Sequence, residues 1–281
     1  MKKVAVMIPA RNEGSRLEAT IKSLNEIAHV ANVNIEIVVV DDGSKDNTAD
    51  YAKNLGCHVV MRKDRGYSAL GRPELADTHN DGFAFIEKNI PDYDYIMVSG
   101  ANNTYKADYL QILLNKYAEN SNLVMASGTE GVALAINAVR GSGRLIRKEF
   151  WKEIGCGVPN QFYSWESYPI LYALAKGYDV QSFPEAIQQT SVESLGKVDY
   201  TNYGKGMREQ GDILLYVLRR SFIEGLMTSR KKRSFQLIRG YFSLDIELYP
   251  SHIRKFVRRY QWKRVWTIIS LRNKGTSVLT I

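Results

Sequence analysis

"IEIVVVDDGSKDNT", residues 35–48, is a β-branched run that stops abruptly at two aspartates, a glycine and a serine. A run this apolar, broken only by Glu36, describes a strand buried on both faces, as in a parallel sheet. The polar residues then fall at the strand's carboxyl end, where open α/β sheets bind ligands.

The surroundings repeat the pattern. Upstream, "KVAVMIP" is a compact apolar run closed by proline, followed by "SRLEATIKSLNEIA" with Leu17, Ile21, Leu24 and Ala28 at helical spacing. Ser15 and Glu18 have the spacing of a capping box at that helix's start. Downstream, "NTADYAKNL" predicts a short helix stopped by Gly56, and "HVVM" and "YIMVS" predict further strands. Apolar runs joined by helices imply a mostly parallel, Rossmann-like sheet flanked by helices.

Beyond Tyr105, "KADYLQILLNKYAEN" is an amphipathic helix. "NLVMASGTEGVALAINAVRGSG" reads either as strands or as a glycine-punctuated loop. "IRKEFWKEIG" is a short helix, "WESYPILYALAKG" a helix from near Ser167 to Gly177, and "YDVQSFPEAIQQTSV" a strand with a proline bend. From about Asp199 the chain reads as mostly helical, so residues 1–220 are expected as one domain and 221–281 as a basic helical extension.

The chain of 281 residues is long enough for a sizeable core, and no apolar run approaches a membrane span. "MKKVAVMIPAR" resembles a signal peptide, but its apolar segment is short and reads better as a first strand. Cys57 and Cys156 lie far apart without metal-ligand spacing, which suits a reducing, cytoplasmic setting. From Lys205 onward there are 17 Lys/Arg against 5 Asp/Glu, a net of +12 within a chain total of +8. Either the rear of the chain seeks anions or its charges are simply solvated.

The order "VMIPARNEGSRLEATIKSL", "IEIVVVDDGSKDNTADYA", "RKDRGYSAL", "YIMVSGANNTYKADYL" resembles the inverting family-two glycosyltransferases. The resemblance covers about residues 3–195, weakening toward 220, and dolichyl-phosphate sugar synthases share the layout. It implies a GT-A (nucleotide-diphospho-sugar transferase) fold and single-step inverting transfer from a nucleotide-diphosphate sugar. Such enzymes typically show I-P-x-x-N-E, V-D-D-G-S, N-x-G-x-x-x-A-L, a D-x-D triplet, and an E-D pair opening a later helix.

By that resemblance the nucleotide is read by Pro9, Ala10, Arg11, Asn12, Glu13, Asp41, Asp42, Asp64, Gly100, Ala101 and Asn102. A carboxylate at Asp41 or Asp42 can accept a base N–H or ribose hydroxyls, although the pair could equally cap the next helix. Asp64 stands where asparagine is usual, and the D-x-D falls on Gly100-Ala101-Asn102, with neither carboxylate. A histidine often present as a further ligand is absent from "AIQQTSV", which offers Gln188, Gln189 and Thr190. No metal ligand is therefore assigned, though the Asn102 oxygen could approach Mg2+ or Mn2+. Arg62, Lys63, Arg65 and Arg72 are candidates to carry the diphosphate charge instead.

Counting back from Gly177 places Glu166 at the Asp of the E-D pair and Trp165 at its Glu. Just before a helix start, Glu166 suits a general base, or is only a helix-start residue. Asn103 and Trp165 join Arg65 and Arg72 near diphosphate and sugar, with Tyr163 and Tyr168 as aromatic walls or core. A saccharide or lipid-linked acceptor is expected, offering a hydroxyl or a lipid phosphate; the phosphate, already anionic, would not need Glu166 as a base.

In "HIRKFVRRYQWKRVW", Ile253, Phe256, Val257 and Tyr260 share a helical face away from Arg254, Lys255, Arg258 and Arg259. That helix either contacts the anionic inner face of a membrane or packs on the body with its charges in water. No nucleic-acid-binding motif accompanies the basic charge. The rivals are a metal-dependent form of the same enzyme, a nucleotide-sugar-binding pseudoenzyme, and a nucleotidyltransferase. The last would need more glycine than "IPARNEGSR" has.

Overall fold

The computed structural model describes every residue except 133, 135, 136, 192–198, 228–230 and 274–281, so the end of the "QQTSV" reading and of the tail lie outside the described residues. One eight-stranded sheet organises the front of the chain, in the order β3-β2-β1-β4-β7-β6-β8-β5. Its strands are β1 (Lys3–Ala10), β2 (Asn34–Asp41), β3 (His58–Met61), β4 (Tyr95–Val98), β5 (Asn103–Tyr105), β6 (Leu123–Thr129), β7 (Arg144–Arg147) and β8 (Asp179–Thr190). β3, β2, β1 and β4 run parallel, as their unbroken apolar character predicts. β7 corrects a simple parallel reading: it is antiparallel to both β4 and β6, and β5 is antiparallel to β8 at the edge.

The helices of this region are α1 (Arg16–Ala31), α2 (Thr48–Asn54), α3 (Leu75–Asn89), α4 (Tyr109–Glu119), α5 (Lys148–Glu153) and α6 (Tyr168–Lys176). They cover both sheet faces. Val4, Val6 and Ile8 of β1 pack with Leu17, Ile21 and Leu24 of α1. Ala5 and Met7 face Phe83 and Ile86 of α3 and Trp151 of α5. The period of two along a single strand thus feeds two cores.

One local reading is corrected, one helix is added and one open choice is resolved. The Ser15–Glu18 capping box is not formed: Ser15 is helical in its backbone with no side-chain cap, and Glu18 pairs with Lys22 at 2.6 Å. α3 went unread because Asp77, Asn80 and Asp81 mask its periodicity and Gly82 looks like a breaker. In the stretch read either as strands or as a loop, Leu123–Thr129 is strand β6 and the described residues of 130–143 are loop.

The contact pattern divides the chain into two compact units. The first is Met1–Leu70, Glu74–Asn160 and Glu166–Gly196; the second is Gly71–Pro73, Gln161–Trp165 and Lys197–Ile281. Residues 197–220, expected with the front domain, therefore group with the rear helices. The second unit holds α7 (Tyr200–Gln210), α8 (Leu214–Phe222), α9 (Lys231–Tyr241) and α10 (Ser251–Asn273). Its core is Met207, Val217 and Leu237, and Glu209 is a buried carboxylate there. Glu209 accepts from Tyr163 N at 2.9 Å, Ser164 N at 3.0 Å and Ser164 Oγ at 2.8 Å. Burial raises its pKa, against the lowering by those hydrogen bonds. In α10, Ile253 and Val257 are buried while Phe256 and Tyr260 are half-buried, which bears out the packed alternative for that face.

Candidate active site

The carboxyl ends of β1 and β2 are latched together through their loops. Asn12 N donates to Ser44 Oγ at 3.0 Å, and Lys45 N donates to Asn12 Oδ1 at 2.8 Å. Glu13 N and Gly14 N both donate to Thr48 Oγ1 at 2.9 Å. Pro9 and Ala10 pair in register with Val40 and Asp41, so residues 9–13 and 41–42 do share one rim. Half-burial raises the pKa of Glu13, with Arg16 pulling the other way at 3.3 Å.

The acidic groups at this rim are already engaged. Asp41 is buried and accepts from Ser44 N at 2.7 Å, closing its own turn rather than capping α2. Asp42 is also buried, and its Oδ1 receives Arg65 Nη2 at 2.5 Å, Arg62 Nε at 3.2 Å and Thr78 Oγ1 at 3.1 Å. Arg62 also pairs with Asp81, and Arg11 donates to Asp64 Oδ1 at 2.6 Å and to the Asp42 carbonyl. The Arg11 hydrogen bond is the main reason the Asp64 carboxyl lies below its usual range. Three arginines thus meet three aspartates, a matched set rather than a reserve of positive charge. Lys63 is exposed, and Arg72 is exposed within the second unit.

Gly43 explains why the third segment joins this rim. It adopts φ +73, and a β-carbon built on it would lie 2.4 Å from Asp64 Cα. Only glycine satisfies both the left-handed turn and the crossing of the "DRG" segment.

The Gly100–Asn103 loop follows β4. Gly100 N donates to Ser142 Oγ at 2.8 Å, and Thr20 Oγ1 donates to Ala101 O at 2.8 Å. Asn102 Nδ2 donates to Ser191 O at 3.1 Å, and Asn103 Nδ2 donates to Thr190 Oγ1 at 3.0 Å. A β-carbon on Gly100 would lie 2.5 Å from Asn103 Oδ1, 3.3 Å from Asn102 Oδ1 and 3.4 Å from Ser142 Oγ. The space that an aspartate would need at position 100 is filled by three neutral oxygens. Gln188, where the histidine was missed, is buried, accepts from Tyr109 OH at 3.0 Å and donates to Ser142 O at 3.2 Å. Among the described residues no group of three or more His, Cys, Asp or Glu could hold an ion. Mg2+ and Mn2+ favour anionic oxygen ligands, so this donor set does not fit a carboxylate-held cation.

Glu166 is exposed, in a single 3₁₀ turn, Trp165–Ser167, directly before α6. Its carboxylate oxygens lie 3.6 and 3.7 Å from a β-carbon built on Gly141. The next residue, Ser142, is the one that holds Gly100, so the candidate base and the altered triplet border one loop. Arg144 lies beneath: it is buried, donates from Nε to Arg140 O at 3.0 Å and from Nη1 to Glu166 O at 3.3 Å. Burial lowers its pKa and the Glu166 charge raises it. The sequence reading missed Ser142 and Arg144; their signal was "RGSGR", two arginines enclosing two glycines, at the end of a stretch read only as strands or a glycine-punctuated loop. Trp165 is buried, Tyr168 half-buried beside Tyr172, and Tyr163 accepts from Lys205 Nζ at 2.9 Å within the second unit.

Residues 5–132 match the family model described as Glycosyl transferase family 2. An uncharacterized glycosyltransferase of Rickettsia bellii (strain RML369-C) is 32% identical over 122 residues, 40% of this chain and 39% of that protein. This chain thus spans well under half the length of that relative. The mannosyltransferase PcManGT from Pyrobaculum calidifontis, in complex with GDP-Man and Mn2+, is similar at TM-score 0.56 and 14% identity, over 85% of this chain and 72% of that one. TarS 1-349 of S. aureus, in complex with UDP-GlcNAc, is similar at TM-score 0.56 and 14% identity, over 87% of this chain and 73% of that one. The fold is the expected GT-A fold.

Proposed function

With residues 5–132 identified as a Glycosyl transferase family 2 domain, we propose that the chain moves a sugar from a nucleoside-diphosphate donor by single-step inversion. The nucleotide lies along Pro9–Glu13, Asp41, Asp42 and Asp64, and the diphosphate by Gly100–Asn103 and Arg65. Glu166 removes the proton from an acceptor hydroxyl as that oxygen attacks the anomeric carbon and the diphosphate leaves. The observation that carries this reading is the Glu166 carboxylate beside Gly141, 3.6 Å from where a β-carbon would stand, one residue from the serine that holds Gly100.

The donor set around Gly100 supports transfer without a bound cation. Neutral amides and N–H groups can orient phosphate oxygens, and developing charge falls to guanidinium groups. Because Arg62 and Arg65 are held by Asp42, the donor phosphates compete with a carboxylate for them. A saccharide or lipid-linked hydroxyl fits the acceptor, and the basic rear of the chain supports peripheral contact with an anionic membrane. A binding-only pseudoenzyme is the weaker reading, because a carboxylate is kept exposed at the base position.

The test is Glu166→Gln assayed with a panel of UDP-, GDP- and dTDP-sugars. Donor affinity should hold while transfer to a hydroxyl acceptor falls by roughly 10²–10⁴-fold. Turnover near that of the wild type removes Glu166 from the mechanism.

A further inference from the structure

The second unit turns large apolar side chains outward in an ordered way. On α8, Leu214, Leu215, Leu218 and Phe222 are 45%, 47%, 48% and 59% exposed respectively. At 3.6 residues per turn these four fall within an arc of about 100°, as wide as a core-facing stripe. Val217 and Ser221, both buried, run along one edge of this arc, and Tyr216 and Arg220 fall opposite it. Arg219, exposed, borders the outward arc. This helix is apolar on the side that faces out.

α10 presents a matching face. Its buried stripe is Ile253, Val257 and Gln261, spaced by four. The exposed residues Lys255, Arg259, Trp262, Lys263 and Trp266 cluster on another side within about a quarter turn. Trp262 and Trp266 are 46% and 64% exposed, an unusual setting for indoles unless an amphiphilic phase receives them. One joint fixes the two helices. Gln261 Oε1 accepts from Ile213 N at 2.9 Å, and Gln261 Nε2 donates to Asp212 Oδ1 at 2.7 Å. Arg258 Nε donates to Gly211 O at 3.3 Å. Leu214 and Trp262 each follow a residue of this joint.

We infer that the outward arc of α8 and the Trp/Lys face of α10 form a docking surface for an anionic lipid bilayer. Leucine and phenylalanine enter the acyl boundary, tryptophans sit at headgroup depth, and lysine and arginine meet lipid phosphates. Charge decides against a second copy as the occupant. Residues 205–281 carry 17 basic against 5 acidic side chains, and α10 has no acidic residue, so two such surfaces would repel. The inference deepens the membrane contact proposed above by naming its surface. It moves that contact off the Ile253/Val257 face, which is buried. Its test reads binding, not transfer, so its failure is distinct from failure of the glycosyltransferase reading.

The full chain is sedimented with phosphatidylcholine vesicles and with vesicles containing about a third phosphatidylglycerol. Binding should require the anionic lipid and weaken with salt. Leu218→Glu should reduce it by at least about ten-fold, since one exposed leucine and the local charge are both lost. A triple Lys255→Gln, Arg259→Gln, Lys263→Gln variant should lose the salt-sensitive part. Both variants alter exposed positions, and an unchanged thermal transition confirms that each is folded. Equal binding of folded Leu218→Glu and wild type overturns the inference. So does a concentration-dependent dimer, abolished by Leu218→Glu, in a protein that ignores both vesicle types.

Discussion

The two units handle charge and apolar surface in opposite ways. In the first, arginines close on aspartates at the sheet rim, as Arg62 and Arg65 do on Asp42, and the strand residues feed two covered cores. In the second, large apolar side chains and basic groups stay outside, on α8 and α10. A rim whose charges are matched internally is pre-organised for a small polar ligand. A face that leaves both cations and leucines unmatched fits a large, anionic and partly apolar partner. Buried titratable groups of opposite sign also mark the two units: burial lowers the His79 pKa to about 4 in the first and raises the Asp212 pKa to about 6 in the second.

The sharpest way to break the first unit alone is Gly43→Ala. The added carbon would meet Asp64 backbone at 2.4 Å in a left-handed conformation, so a loss of about 3 kcal/mol or more is expected. Thermal unfolding measures it, and a change under about 1 kcal/mol would show that the "DRG" crossing gives way easily.

Next in size is an opposed pH response. The His79 pKa is lowered to about 4, so its contribution is present above the unfolded value of 6.5 and fades as pH falls toward 4. The Asp212 pKa is raised to about 6, so its contribution is present below the unfolded value of 3.8 and is lost as pH rises through 6. Each amounts to roughly 3–4 kcal/mol at most, by one decade per 1.4 kcal/mol. Asp212→Asn, which can still accept from Gln261, should stabilise the chain at pH 7.5 and have little effect near pH 4. Equal shifts at both pH values would mean that burial does not raise the Asp212 pKa.

The smallest change is Asn102→Asp, which returns one carboxylate to the altered triplet without adding bulk. Calorimetry should detect Mn2+ binding that the wild type lacks, weak because position 100 stays closed. Wild-type affinity equal to that of the variant would show that neutral oxygens suffice.

What was legible follows from these physical differences. β1, β2 and β4 announced themselves because strands buried on both faces need continuous apolar runs, and "VVVDDGS" marked the rim where they end. Glu166 was reached by counting from Gly177, whose φ of +87 does stop α6. The ion pairs at Asp42 were not legible, since "RKDR" says nothing of which carboxylate each arginine meets. The α10 stripe left two alternatives open because an apolar face reports burial somewhere, not the partner: Ile253 and Val257 turn inward, while the outward leucines of α8 went unread.

The central claim is that a rim of matched charges and neutral amides can work on a sugar donor without a bound cation. The direct measurement is transfer from the preferred nucleotide sugar by exhaustively chelated full-length chain, with and without added Mn2+. Turnover within about three-fold in the two conditions is the predicted result, a difference below 1 kcal/mol in the barrier. Activity that vanishes on chelation and returns only with Mn2+ would contradict it.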